Sequence, residues 1–360
     1  MIEFSKIFTD CTKLATKIPK TNYLPIGQYP IIDQGYAQIA GYSNSSEGLF
    51  TDVPAIVFGD HTRVIKYADK PFFIGADGVK VLKSKLKEID YKYLFYALTN
   101  VKIPNTGYNR HFKWLKETSI YLPNLSEQKK IAERLDKVQG LIALQKEQIK
   151  KLDDLIKSRF IDLFGDPLLS KKFPRNTLRD QGIWQTGGTP SRQHDEYFGG
   201  KYPWITTIAL ENIYVGQDKA VDYISEKGLK NSTTKIIPPY SLLFGIRVGV
   251  GKVSINTCEI CTNQDIVSLF LNKSNKYNLV YLYFMFRLAE SYFTSRTRGA
   301  TIKGITVDVI KDFPVINAPQ ELQTQFADFV KKVEAQKGLL TTRLTHLETL
   351  YKSLMQEYFG

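Results

Sequence analysis

Cysteine is scarce in this chain and long apolar runs are missing. The 360 residues include three cysteines, Cys11, Cys258 and Cys261, an odd number that suits a reducing compartment and argues against a disulfide-stapled secreted scaffold. Cys258 and Cys261 form a C-x-x-C, but a structural zinc site takes about four ligands. No second pair and no histidine cluster lies near them, so they read as incidental cysteines of a strand. The longest apolar-rich stretch, Leu279 to Ala289, is interrupted by Arg287 and falls well short of the ~20 residues that span a bilayer. No long apolar segment follows the first charges of Met1 to Lys6, so no signal peptide is expected. These features predict a soluble cytoplasmic protein with no membrane role.

Hydrophobic residues make up 43% and aromatics 12% of the chain, enough to build real cores and too much for disorder. The length suits two domains of ordinary size. Net charge is +13, which favours a polyanionic partner.

A repeat organises the sequence. Shifted by 195 positions, segment 128–165 falls on 323–360 without a gap, and eleven residues coincide, among them Gln128/Gln323, Leu144/Leu339, Leu155/Leu350, Phe164/Phe359 and Gly165/Gly360. Both copies lack proline and carry apolar residues at alternating steps of four and three. In the first copy these are Ile131, Leu135, Val138, Ile142, Ile149, Leu152 and Ile156. In the second they are Phe326, Val330, Val333, Leu340, Leu344, Leu347, Tyr351, Leu354 and Tyr358. A spacing of 3.5 places them on one stripe, the seam of a coiled coil rather than the face of two ordinary buried helices. Gln145 and Lys337 interrupt the stripes and are placed to set register. Each helix, some forty residues, would run about 60 Å. Ser126 and Pro319 are the expected starts, and Gly165 followed by Asp166-Pro167 the expected stop of the first.

The remaining blocks, 1–125 and 166–318, hold β-branched and aromatic runs punctuated by glycine, asparagine and proline, the pattern of short strands. Ala55 to Phe58 and Ser241 to Phe244 are examples, and each block adds a helix-like stretch, Tyr91 to Leu98 and Leu279 to Ala289. A fainter repeat links the blocks, with Phe58-Gly59 matching Phe244-Gly245 and Gly78 to Leu82 matching Asp265 to Leu269. The expected organisation is a first domain at 1–125, a long spacer helix at 126–165, a second domain at 166–318 and a second spacer helix at 319–360. The two blocks carry +5 and +6 of the net charge, so the basic excess sits on the blocks, where a surface for a polyanion would need it.

Several motifs carry a family resemblance. The first block contains Tyr29-Pro30-Ile31-Ile32-Asp33-Gln34-Gly35, Phe58-Gly59-Asp60-His61-Thr62-Arg63, Gly75-Ala76-Asp77-Gly78 and Tyr108-Asn109-Arg110-His111-Phe112-Lys113. It leads through Pro123-Asn124-Leu125-Ser126-Glu127-Gln128 into the long helix. The second contains Gly187-Gly188-Thr189-Pro190-Ser191-Arg192, Tyr202-Pro203-Trp204-Ile205 and Arg247-Val248-Gly249-Val250-Gly251-Lys252, and leads through Pro319-Gln320-Glu321-Leu322-Gln323. Over essentially its whole length the chain resembles the specificity subunits of type I restriction–modification systems. That resemblance implies a mixed α/β fold of α+β kind: two globular target-recognition domains separated by two long helices that pair as an antiparallel coiled coil, with a pseudo-two-fold internal repeat. It implies a non-catalytic reader of a bipartite, interrupted site in double-stranded DNA. Two modification subunits would bring S-adenosylmethionine and methylate adenine, and restriction subunits would bring ATP- and Mg-dependent translocation and cleavage.

Side chains suited to guanine are Arg and Lys, and to adenine Asn and Gln. The expected DNA-binding residues are therefore Asp60, His61, Arg63, Asn109, Arg110 and Lys113 in the first domain. In the second they are Thr189, Ser191, Arg192, Arg247, Lys252, Arg296, Arg298 and Lys303. Two motifs fail as catalytic sites. Ile237-Pro238-Pro239-Tyr240 resembles the N-P-P-Y loop of amino-methyltransferases, but Ile237 offers no acceptor for a target amino group. Gly249 to Lys252 lacks the third glycine of a dinucleotide fingerprint and the spacing of a phosphate loop, and reads as a tight turn. The alternatives are a methyltransferase or nuclease with an unrecognised site, against which the missing motifs count, and a coiled-coil adaptor without a DNA role, against which the charge distribution counts.

Overall fold

The computed structural model describes residues 1–75, 77–299 and 303–360, so Ala76 of the Gly75–Gly78 run lies outside the described residues. Four helices organise the chain: α1 (Tyr91–Asn100), α2 (Leu125–Phe164), α3 (Leu279–Leu288) and α4 (Gln320–Phe359). Both long heptad stretches form unbroken helices of 40 residues. The cap of α2 is Asn124 rather than the expected Ser126: the Asn124 side-chain oxygen accepts from the Glu127 N–H at 3.0 Å, which places Ser126 inside the first turn. The helix stops at Gly165, whose φ of 82° is the left-handed conformation that glycine adopts without cost. No helix among the described residues is long and apolar enough to cross a membrane.

The chain divides into two compact units, Met1–Lys146 with Thr341–Gly360, and Glu147–Leu340. Each contains one β-rich block and half of each long helix. Within the first unit α2 and α4 run antiparallel, since Arg134 bonds the Tyr358 hydroxyl at 2.9 Å, Gln139 that of Tyr351 at 3.0 Å, and Lys146 meets Glu348 at 2.8 Å. Within the second unit the same direction follows from Lys337 bonding Asp153 at 2.5 Å and Phe160 packing edge-on against Phe326. Ile131, Leu135, Val138, Val330 and Val333 of the expected seam are buried, while Ile149, Leu152, Leu344, Leu347 and Leu354 are half-buried.

The first unit carries a four-stranded antiparallel sheet in the order Phe8–Asp10, Val79–Ser84, Ala55–Gly59, Ile65–Ala68. Beside it lies a three-stranded sheet in which Tyr29–Ile32 runs parallel to Phe73–Ile74. The second unit repeats the plan. A five-stranded sheet has Leu242–Gly245 between Ile266–Leu271 and Val253–Asn256, and in a smaller sheet Phe198–Ile205 runs parallel to Cys261–Thr262. All three cysteines are free thiols.

The two units share one device for seating helices on sheets. Gln128, buried at the start of α2, accepts from the Asp90 N–H at 3.0 Å and donates to the Pro123 carbonyl at 2.7 Å. Gln323, buried at the start of α4, accepts from the Asn278 N–H at 2.9 Å and donates to the Ala318 carbonyl at 2.8 Å. Asp90 and Asn278 are the caps of α1 and α3, so each glutamine ties a short helix to a long one. The buried Tyr93 and Tyr281 hydroxyls bond the Tyr121 and Ile316 carbonyls. Their rings take the ends of the long helices: Phe359 packs on Tyr93 at 5.3 Å and Phe164 on Tyr281 at 4.7 Å.

Candidate nucleic-acid interface

In the first unit four loops converge on Asp60. Its N–H donates to the Gly78 carbonyl at 2.7 Å, and its own carbonyl accepts from the His111 N–H at 2.8 Å, with the His111 ring nitrogen Nδ1 3.0 Å away. Its carboxylate accepts from the Phe112 N–H at 2.7 Å. Asp60 is buried, so in this arrangement it holds residues 60–64, 77–78 and 104–111 together. Gln34 brings in the fourth loop, donating to the Asp77 carbonyl at 3.2 Å and accepting from the His61 N–H at 3.3 Å, while its backbone carbonyl takes the Thr62 hydroxyl at 2.6 Å. Lys66 anchors that loop from below. Only 2% exposed, its ammonium donates to the Asp33 carbonyl at 2.8 Å and the Ala37 carbonyl at 2.5 Å, with the Asp33 carboxylate at 3.5 Å. Burial pushes the Lys66 ammonium below its ordinary value, and Asp33 partly opposes that shift.

The other expected residues of this unit sit on the same loops, apart from Lys113, which lies in the short helix Phe112–Lys116. Arg63 adopts a φ of 64° and its guanidinium donates to the Ile103 carbonyl at 3.3 Å. The Asn109 amide closes its own loop on the Thr106 carbonyl at 2.6 Å. Arg110 is exposed, and the Lys113 ammonium lies 4.1 Å over the Trp114 ring. The His61 ring stacks on Tyr108. Exposed Asp77 is bound by Lys17 at 2.5 Å, and that bond, followed by the charges of Lys17 and Arg110, holds its carboxyl below the usual range.

The second unit uses the same backbone scaffold without the carboxylate. Ile246, the counterpart of Asp60, donates its N–H to the Asp265 carbonyl at 2.9 Å and accepts from the Ile305 N–H at 2.7 Å. Arg247 lies 3.6 Å from Asp265, and the Gly249–Lys252 turn closes through the Lys252 N–H on the Gly249 carbonyl at 3.0 Å. Arg247, Arg296 and Arg298 line one open groove of about 700 Å³ with Thr297 and Thr306; exposed Lys303 adjoins Gly304 of its wall. The glycine pair reaches this region through Gly188 N–H on the Thr262 carbonyl at 2.8 Å and the Thr189 hydroxyl on Gln264 at 2.5 Å. Gly187 has to be glycine, since a Cβ there would stand 2.2 Å from the Thr262 hydroxyl. Ser191 is exposed, and Arg192 pairs with Asp222 at 2.6 Å while lying 4.1 Å over the Phe198 ring. Ile237 is buried in a bridge to Ile260, and Pro238 is pinned by Asn256 at 2.8 Å. Among the described residues no group of three His, Cys, Asp or Glu is placed to hold a metal ion.

Two residues that hold these loops, Gln34 and Lys66, were not among the expected site residues. Gln34 stands inside the Tyr29–Gly35 motif without a role assigned by its type. Lys66 interrupts the strand Ile65-Lys66-Tyr67-Ala68 at a position where the fold buries it, and a lone lysine in a strand is the one signal that could have found it.

The sequence profile described as the type I restriction modification DNA specificity domain matches residues 7–154 and again 177–349. The chain belongs to that family. Each matched segment covers one block and most of its long helix. Among specificity-family relatives, the chain is 25% identical over 318 residues to the type I restriction enzyme EcoR124I/EcoR124II specificity subunit of Escherichia coli, covering 81% of this chain and 77% of that one. It is 23% identical over 320 residues to the putative type I restriction enzyme MjaX specificity subunit of Methanocaldococcus jannaschii, covering 81% and 73%. The S subunit of a type I restriction–modification system from M. genitalium shares the fold, with a TM-score of 0.64 at 16% identity over 98% of this chain and 94% of that chain.

Proposed function

We propose that this specificity-family chain is the DNA-reading subunit of a type I restriction–modification enzyme, and that each compact unit reads one half of an interrupted target. The observation that carries this reading is the pair of loop clusters, built on one backbone scaffold around Asp60 and around Ile246, the first with Arg63 and Arg110 and the second with Arg247, Arg296 and Arg298. Arg63, Arg110 and Lys113 serve the first half-site, and Arg192, Arg247, Arg296, Arg298 and Lys303 the second. Asn109, Thr189, Ser191 and Lys252 supply shorter polar contacts.

The long helices support a second part of the reading, the docking of two copies of a modification subunit. Leu144 and Leu339 occupy equivalent repeat positions and are 57% and 66% exposed; Leu155 and Leu350 are again equivalent and 47% and 46% exposed. Leu144 and Leu350 belong to the first unit and Leu155 and Leu339 to the second, so each unit presents one such leucine from each long helix. Identical leucines kept in water at duplicated positions suit two identical partners. In this reading adenine methylation with S-adenosylmethionine belongs to those partners, and ATP- and Mg-dependent translocation and cleavage to restriction subunits, all acting on cytoplasmic DNA. This chain contributes recognition and no reacting group.

The test is equilibrium binding of the purified chain to duplex DNA across a salt series. Log affinity should fall with log salt by roughly 0.9 per phosphate neutralised. Replacing Arg247, Arg296 or Arg298 by glutamine should lower that slope by about one for every phosphate the variant no longer neutralises. Salt-insensitive binding, or methyl transfer by the chain without any partner subunit, overturns the reading.

A further inference from the structure

The loop at 104–111 closes on itself. Gly107 sits at a φ of 77°, Asn109 N–H donates to the Gly107 carbonyl at 2.9 Å, the Asn109 side chain donates to the Thr106 carbonyl at 2.6 Å, and Gly107 N–H reaches the Asn105 side chain at 3.3 Å. This network leaves Tyr108 at the tip, 87% exposed. One face of its ring lies on His61, with centroids 4.5 Å apart and planes 7° from parallel. His61 is itself positioned, its N–H on Gln34 and its ring nitrogen Nδ1 buried without a hydrogen-bond partner. The loop is thus ordered by its own polar bonds and holds a large aromatic side chain with one face on His61 and the rest in water.

A ring displayed in this way has one face covered by the fold, on His61, and a nucleobase offers the other a second flat partner. Base–aromatic stacking is indifferent to the neutralisation of phosphates; in a duplex it needs a free ring face and a base lifted from its own stack, at a cost of a few kcal/mol. The geometry points to Tyr108 as a nucleobase-stacking residue that takes one base of the half-site read by the first unit, on the side of the ring opposite His61. The inference rests on the DNA-reading role proposed above and adds to it a contact that depends on the base and not on charge. The corresponding stretch of the second unit, from Ser295 to Gly304, contains no aromatic residue.

Methylation mapping in cells first defines the target; the chain assembled with its modification subunits is then bound to that duplex as wild type, Tyr108→Leu, Tyr108→Phe and Arg110→Ala. Tyr108→Leu should weaken binding by about 5- to 150-fold, the range for one base–aromatic stack, with an unchanged salt slope. Tyr108→Phe should bind like the wild type, and Arg110→Ala should lower the salt slope. Wild-type affinity of Tyr108→Leu beside weakened Arg110→Ala overturns the stack and leaves the DNA face standing. Wild-type affinity of both overturns the stack together with the placement of a DNA face at these loops.

Discussion

Replacing Gln128 by leucine removes both bonds that the buried glutamine makes. The Asp90 N–H and the Pro123 carbonyl, now 3.0 and 2.7 Å from their partners, are left facing a methyl group. An unsatisfied buried polar group costs about 1–3 kcal/mol, and part of that cost is recovered because leucine itself needs no polar partner, so a net destabilisation of about 2–4 kcal/mol is expected. In a unit of this size each kcal/mol lowers the melting temperature by roughly 2–4 °C, a drop of about 5–15 °C for the first unit. Gln323→Leu should do the same to the second unit through the Asn278 N–H and the Ala318 carbonyl. Thermal unfolding gives the magnitude and hydrogen exchange gives the place: Gln128→Leu should speed exchange at Asp90 and leave Asn278 protected, and Gln323→Leu the reverse. A leucine variant with its melting temperature within about 2 °C of the parent and unchanged exchange at the cap would refute the reasoning, since the glutamines would then be passengers.

Asp10→Asn should flatten the acid limb of the stability profile. Burial raises the Asp10 pKa, but the Thr12 hydrogen bonds and Lys80, 3.0 Å away, outweigh it and hold the carboxyl below its ordinary value of 3.8; the stabilisation it gives is complete above that value and lost as pH falls through the lower folded one, which acid titration of both variants would show. Lys66→Met strands the Asp33 and Ala37 carbonyls and should loosen loop 33–37 at a cost of about 1–3 kcal/mol, weakening DNA binding although the side chain is too buried to touch DNA; unchanged affinity would remove Lys66 from the interface. Inserting four residues after Gln145 adds about 6 Å to α2 with slightly more than one turn, and methylation mapping should return the same half-sites with a spacer longer by one or two base pairs; an active enzyme with an unchanged spacer would show that α2 does not set the distance.

The long helices were legible because a heptad stripe is a local pattern, repeated over enough turns to leave no other structure for Leu125–Phe164 or Gln320–Phe359. Strands such as Ala55–Gly59 and Leu242–Gly245 were legible for the same reason. The capping of α2 was not: Asn124 and Ser126 are both good caps by type, and the choice depends on which oxygen meets the Glu127 N–H. The composition of the two units was also out of reach, because which half of a helix packs on which block depends on contacts such as Phe359 on Tyr93, across more than 260 positions of sequence. Within the candidate interface, motifs marked Asp60, yet what it does is fixed by the backbone N–H groups around it. Ile246 in the same place shows that the scaffold needs the backbone and not the carboxylate. Lys66 and Tyr108 act through burial in one case and exposure in the other, and neither quantity is written in residue type.

Phe359 packing on Tyr93, and Met355 in the same core, have a consequence for the order in which a ribosome can finish this molecule. The first unit includes residues 341–360 and the second only 147–340. One core of the block that emerges first lies wholly within residues 11–81, but the apolar flank of α1 stays uncovered until residues 351–359 have been made, while the later block already holds every segment of its own core. In that interval the open flank of α1 is the surface most in need of shielding from other chains.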